Sequence, residues 1–494
     1  LVVTNYVRRR SDHARLGCAT RLNRVFLTAA ILFAAVPMLL AQTGTVASPS
    51  TPTQTQGGSP FSGSVASEPL PGVVPISLQD AIDRGLKQNL GVLLSSADIQ
   101  SARGQRWEQL SALLPHVTAS PYVDVSKANL SEVGFSFKAP GLTLPAAVGP
   151  FSYFDARVNV TQSLFDWKSI SNARSAAQSA KSAEYTYKDA RDLVVLAVGF
   201  TYLQAIADEA RIETAKAQVE TAQAIYSQAS DQVNAGTSPA IDGLRAKVEF
   251  QTRQQQLIQA RNDFAIQKLT VARVIGLAPG QEFDLTDKSL YQPFESMSVE
   301  ESLHRAYASR SDYQAAMTDV RAAEFSRNAA VAGYFPSLSF NGDYGTAGAH
   351  PSTATQVFDV RGTLSIPIFQ GGSVHGAILQ ADARLAQSRE RMANLRGQID
   401  AEVRTALLNL QSSAEQVEVA RSNIDLSDAA LAQSRDRFSA GVDDTVEVVQ
   451  SQQAVASAHE QYIASLYSYN YAKISLARAL GTAEAGVKEF FKGK

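Results

Sequence analysis

The chain has 494 residues, with 45 Lys+Arg against 47 Asp+Glu and a formal charge of −2. That balance argues against a nucleic-acid binder, which would carry a basic stripe. The single cysteine, Cys18, excludes a disulfide framework or a thiolate metal cluster.

In chain order, the first feature is a basic stretch (Arg8 to Arg10, Arg15, Arg21, Arg24), followed by an apolar run from Val25 to Leu40 and a small residue, Ala41. This layout predicts a secretory signal peptide over residues 1–41, since the run is short for a spanning helix. Cys18 precedes the run, so it is not placed to carry a lipid after cleavage. Residues 42–76 are rich in Ser, Thr, Pro and Gly and read as a disordered linker.

From residue 77 the sequence is written twice. "SLQDAIDRGLKQN" (77–89) recurs as "SVEESLHRAYASR" (298–310), and Pro115 recurs as Pro336, an offset of 221. "QSLFDW" then recurs as "IPIFQG" with 204 positions between Phe165 and Phe369. "NAGTSPAID" matches "SAGVDDTVE", and "ARVIGL" matches "ARALGT", both at 205. The first copy is therefore longer between the prolines and the Phe pair, which fits one extended loop. Ordered landmarks of this kind mark an internal duplication. The two repeats are 77–276 and 298–482, with a connection over 277–297 and a tail over 483–494.

Each repeat reads as helix, strand, loop, strand, very long helix, tight turn, helix. The shorter helices are expected at 78–112, 240–276, 299–333 and 443–480. The long ones, at about 167–234 and 373–438, would each extend on the order of 100 Å. Leu193, Leu196, Phe200, Leu203, Ala207, Ala210, Thr214 and Ala217 step by threes and fours, as do Val403, Leu407, Leu410, Ala414 and Val417. That is the 3.5-residue period of a coiled-coil seam. Gly236 and Gly441 stand where the long helices should end.

The strands are expected at 116–126, 154–165, 337–345 and 357–368. They alternate: Phe154, Val158, Val160 and Leu164 oppose Asp155, Arg157, Asn159 and Thr161, and Phe358, Val360 and Leu364 oppose Asp359, Arg361 and Thr363. A soluble sheet packed on a helix gives the same alternation. The charges on the polar face, and a length of about ten residues, favour tilted membrane strands lining water. Four strands cannot close a barrel, so several chains would have to pool them.

The duplication, the two Pro-to-strand entries, the "LFDW" and "IFQGG" transitions and the turns "NAGTSPAID" and "RFSAGVDDTVEVV" together resemble the outer membrane efflux protein family, the TolC-like channels. The resemblance covers about residues 77–481. It implies a mainly α fold with a small β part: a homotrimer whose 12-stranded barrel sits in outer-membrane lipid and continues as a long α-helical periplasmic barrel. A periplasmic adaptor and an inner-membrane transporter of the RND or ABC type would feed this duct for efflux or type I secretion. The resemblance implies no enzyme activity and no cofactor, and the six histidines show no zinc-like spacing.

By the same resemblance, Asp242, Glu447 and Gln450 take periplasmic gate positions. The family's segment with two aspartates reads "EVVQS" here, so only one of those two positions is acidic. Acidic residues at a helix start also have a purely local use. Ala235, Gly236 and Thr237, with Ala440, Gly441 and Val442, take the adaptor-docking tips. Phe165, Trp167, Tyr334, Phe335 and Phe369 read as interface aromatics, or as packing where sheet meets helix. A periplasmic adaptor and a rod-like coiled coil are the competing readings. The doubled hairpin speaks against the first and the alternating strands against the second.

Overall fold

The structure, a computed structural model, describes residues 61, 63–130, 132, 138–139, 142–143, 147–287, 293, 297–440, 442 and 445–490. All of them belong to a compact unit over 57–494. The expected signal peptide lies outside the described residues.

The first repeat runs β1 (Val74–Ile76), α1 (Leu78–Gln88), α2 (Leu90–Ser111), β2 (His116–Ala119), β3 (Tyr122–Asn129), β4 (Lys138–Ala139), β5 (Leu142–Thr143), β6 (Ala147–Phe165), α3 (Trp167–Asn234) and α4 (Ala240–Ile275). The second runs β7 (Phe283–Leu285), α5 (Val299–Ser309), α6 (Ser311–Val331), β8 (Ser337–Gly348), β9 (Thr355–Ser365), α7 (Ser373–Ser439) and α8 (Thr445–Ala479), followed by α9 (Ala483–Phe490).

The helices expected at 78–112 and 299–333 are each broken once, at Asn89 and Arg310, again 221 positions apart. Both residues adopt extended backbone, with φ −66° and ψ 131° at Asn89 and φ −63° and ψ 122° at Arg310. Asn89 stabilises its break from both sides: its carboxamide accepts from Gly91 N–H and donates to Phe61 O, both at 2.9 Å.

Two segments depart from their expected roles. Phe61 packs on the core, Val65 N–H donates to Gln88 O at 2.9 Å, and β1 pairs in parallel with β7, burying Ile76 completely. The part of the linker from Phe61 to Ile76 is therefore a strap over the α1–α2 break. Its few apolar residues anchor it despite the Ser/Pro-rich composition. The tail likewise forms α9, which buries Ala483 and Val487 in the same core.

The sheet places β2 and β3 together along one side of β6, then β8, then β9, all antiparallel. The expected strand 116–126 is interrupted at Ser120 and Pro121, where proline removes a ladder donor. β6 starts at Ala147 rather than 154 because β3 pairs with that additional length. Part of the first repeat's extra sequence is thus strand rather than loop. Among the described residues β2, β3 and β9 each have an unpaired edge.

The helical core is richest where α1, α3, α4, α8 and α9 meet, around Val194, Val195, Val198, Tyr202, Val271, Ile275 and Ile474. Here the expected α3 seam is only partly correct: Leu203 and Ala207 are buried, but Phe200 is 44% exposed. α3 packs against several helices at this level, so a single stripe does not describe it. On α7 the expected seam is also only partly correct: Val403, Leu410 and Val417 are buried, but Leu407 and Ala414 are half-buried. Ala406, Ser413 and Ala420 complete a buried row in steps of three and four. Full burial of one such Val or Leu contributes about 1.5–3 kcal/mol.

Candidate channel surfaces

Strand register sorts the sheet into two faces, since directly opposed residues share a face. Asp155, Arg157, Asn159 and Thr161 of β6 stand opposite Ala347, Gly345, Asp343 and Asn341 of β8. Asp343, Asn341 and Ser339 in turn face Asp359, Arg361 and Thr363 of β9. All six residues expected to line water therefore lie on one face. The other face carries Val158, Tyr344 and Phe358 in one row and Val160, Gly342 and Val360 in the next.

Within the polar face the charges are already engaged. Arg157 Nε donates to both Asp155 oxygens at 2.8 and 2.9 Å, and Nη1 reaches Asp343 at 3.2 Å. Tyr153 O–H donates to Asp155 at 2.9 Å, leaving that carboxylate 1% exposed. Arg361 pairs with Asp359 at 2.7 Å but stays 69% exposed. These clasps come from a duplicated Phe-Asp-x-Arg, 154–157 and 358–361, a signal present in the sequence. Gly345 makes room for the first clasp, because a Cβ there would lie 2.8 Å from Arg157 Cγ.

At the opposite end of the molecule α3 ends at Asn234 and the chain turns at Gly236, with φ 72°. Thr237 N–H donates to Gln232 O at 2.9 Å and Gly236 N–H to Val233 O at 3.0 Å, closing the orphan carbonyls of the last turn. Val442 N–H donates equivalently to Arg437 O at 3.0 Å after α7. Ala235, Gly236, Thr237, Ala440 and Val442 are exposed; Gly441 lies outside the described residues. Ile225, Ala229, Ala246, Leu431, Phe438, Val448 and Val455 form a core that joins the two hairpins near these turns.

The three gate candidates divide. Glu447 and Gln450 are exposed one turn apart on α8. Asp242 is 6% exposed in the first turn of α4, and its carboxylate accepts from Arg245 at 3.4 Å. The structure therefore gathers two of the three on an accessible surface and turns the third inward.

Residues 81–277 and 302–482 match the outer membrane efflux protein family. The chain belongs to that family. OprJ, an outer membrane protein of Pseudomonas aeruginosa, is 26% identical over 83% of this chain and 85% of its own length. AprF of the same organism, an alkaline protease secretion protein, is 23% identical over 65% of this chain and 68% of its own. The crystal structure of the CmeC outer membrane channel from Campylobacter jejuni superposes with a TM-score of 0.71 at 17% identity, covering 84% of this chain and 89% of CmeC. This outer membrane efflux protein thus has the fold of the TolC-like channels, and its place is the outer membrane.

In this efflux protein the wall between the tips and the main core carries a polar layer that the sequence reading missed. Arg253 of α4, its side chain 3% exposed, donates to Glu249 at 2.7 Å, Gln256 at 3.0 Å, Gln218 of α3 at 3.3 Å and Gln453 of α8 at 2.8 Å. It borders cavities of 770 and 500 Å³. A lone Arg in a Gln-rich helix has no sequence signature of burial.

A second charged group ties the repeats together. Arg478 of α8 pairs with Asp189 of α3 at 2.5 Å, and Arg310 pairs with Asp312 and with Glu402 of α7. Asp192, 8% exposed beside them, has its carboxyl pushed up to about 6 by burial, against the opposing pull of Arg478.

The five junction aromatics are all solvent-accessible in the single chain, with Phe369 88% exposed. Arg174 lies over the Trp167 ring at 5.7 Å. They sit where β6 becomes α3, where α6 gives way to β8, and after β9. Among the described residues no cluster of three or more metal-ligating side chains occurs.

Proposed function

We propose that three copies of this chain pool their strands into a 12-stranded barrel and form a passive exit duct, fed by a periplasmic adaptor and an inner-membrane pump. The observation that carries the trimer is the four-layer strand order with an unpaired edge on each side. Open edges cannot persist in hydrocarbon, and four strands are too few to close on themselves. Three chains reach twelve, with the row from Asp155 to Thr363 lining water and the row from Val158 to Phe358 facing lipid. The exposed aromatics then fall at the membrane interface, where rings with one wet and one apolar side are favoured.

The tips around Gly236 and Val442 are the docking surface for the adaptor in this reading, being exposed and preformed. Glu447 and Gln450 face the constriction, and Asp242 supports it from within its helix. AprF is named for secretion of a protease, so a protein is one kind of cargo that a chain of this family serves. The pump, rather than the duct, makes the choice here.

Purification from outer membranes tests the proposal. SDS-resistant, heat-dissociable trimers that give discrete single-channel conductance are expected. A monomer without conductance would overturn it.

A further inference from the structure

The duplication governs strand pairing as well as sequence. His116 pairs with Thr161, and their counterparts Ser337 and Ser365 pair in the second repeat. Tyr122 pairs with Asp155, and Asp343 pairs with Asp359. First strands map onto each other by 221 positions and second strands by 204. The register is continuous from His116 to Ser126 in the first pair, shifting only beyond Ser126, and throughout the second. A third pairing, β6 to β8, joins the repeats inside the chain, with Arg157 opposite Gly345 and Asn159 opposite Asp343. Its counterpart would join β9 to β3, and these are the unpaired edges at opposite sides of one sheet.

We infer that β9 of one copy pairs antiparallel with β3 of the next in the register that sets Arg361 opposite Asp124, Thr363 opposite Tyr122 and Asp359 opposite Ser126. This rests on the barrel reading and adds the seam that closes it. Three properties of the two edges agree with it. Faces match, because Tyr122 lies on the polar side with Asp155, as Thr363 does with Ser339; a one-residue slip would put charges in lipid. Charges match, because Arg361 is 69% exposed and Asp124 is exposed with no partner among the described residues. Apolar rows match, because Val360 falls opposite Val125, at 65% and 64% exposure.

The seam completes a site that one chain leaves unfinished. Arg157 is held by Asp155 on its own strand and by Asp343 on the next. Among the described residues Arg361 has only Asp359. By the same offset Tyr122 of the next copy takes the Asp343 position and Asp124 the Gly345 position. Asp124 therefore offers Arg361 a carboxylate from directly across the seam, where opposed side chains lie about 4.5–5.5 Å apart at Cβ, rather than from the diagonal place Asp343 occupies.

Paired cysteines test the register. Thr363→Cys with Tyr122→Cys should give intermolecular disulfides on mild oxidation of the assembled protein in outer membranes. Thr363→Cys with Asp124→Cys, or with Ser120→Cys, should not, because diagonal neighbours lie beyond disulfide reach. Cross-linking through either shifted pair, with trimers intact, would overturn the register while leaving the barrel standing. Monomers with no cross-link in any combination would overturn both. As a second measurement without cysteines, Asp124→Arg should lower the temperature at which trimers dissociate, and adding Arg361→Asp should restore much of it. No recovery in the double variant would count against the pair.

Discussion

Ser77 and Ser298 perform the same task 221 positions apart: each hydroxyl accepts the N–H of the residue three further on, Asp80 at 3.1 Å and Glu301 at 3.2 Å. At Ser77 the exchange is reciprocal, because Asp80 also accepts from the Ser77 N–H at 3.2 Å. Such caps satisfy orphan donors of the first helical turn. Ser77→Ala and Ser298→Ala should each cost about 1 kcal/mol. The caps lie in different repeats, so the double variant should be additive within about 0.5 kcal/mol, read from denaturation midpoints.

The strand faces were legible because a period of two leaves no freedom: once Phe154 faces one way, Asp155 must face the other. The duplication was legible through Pro115, Pro336 and the glycines, which fix backbone geometry. The break at Arg310 was not, since arginine is a good helix former and its partners there are tertiary, Glu402 and the Ala479 carbonyl. Asn89 is a favoured N-cap residue that accepts from Gly91 N–H, and only its bond to Phe61 in the strap lay beyond the local sequence. The α3 seam misled at Phe200 because a helix surrounded by neighbours has no single buried stripe. Among the gate candidates, position alone could not say that Asp242 is buried beneath the exposed Arg245.

Asp192 gives a pH signature to the joint between repeats. Its carboxyl is raised from 3.8 to about 6, mainly by burial, with Asp189 and Glu484 adding to the rise and Arg478 and a backbone hydrogen bond at Glu484 opposing it. A raised acid pKa means the folded state holds its proton longer than the unfolded state. The stability owed to that proton is complete below about pH 4 and is lost as pH rises through about 6. Asp192→Asn should therefore stabilise the protein at pH 7, by about 3 kcal/mol at most, and have little effect near pH 4. Melting curves of both proteins between these limits check this; a gain independent of pH would refute the assignment.

Arg253 predicts a contrast between two substitutions. Arg253→Ala leaves Glu249, Gln218 and Gln453 without their shared donor in a layer bordered by cavities. Removing one partner of a buried pair costs about 3–5 kcal/mol. Arg253→Met with Glu249→Gln keeps the stem and removes both charges, so most of that loss should be recovered. Equal losses from the two would mean that the charge is not what holds the layer.

Glu447 predicts an electrical phenotype. Three copies around a constriction would concentrate negative charge and favour cations, an effect strongest where the lumen is narrow. Glu447→Gln should lower the cation-to-anion permeability ratio severalfold, and Gln450→Glu should raise it. Reversal potentials in asymmetric salt decide between this and a role confined to the start of α8, which would leave the ratio unchanged.

Gly345 and Gly362, on the neighbouring strands β8 and β9, predict opposite outcomes. A Cβ at Gly345 would lie 2.1 Å from Ala156 O and 2.6 Å from Arg157 Cα, so the β6 backbone itself blocks it. A Cβ at Gly362 would meet nothing within 4 Å. Gly345→Ala should cost about 1–3 kcal/mol, the usual range for overpacking, and should loosen the hold of Asp155 and Asp343 on Arg157. Gly362→Ala should be silent within the chain. Heat-dissociation temperatures of the two assembled variants measure the difference. If they fall equally, the close approach of β8 to Arg157 is not a determinant of the sheet.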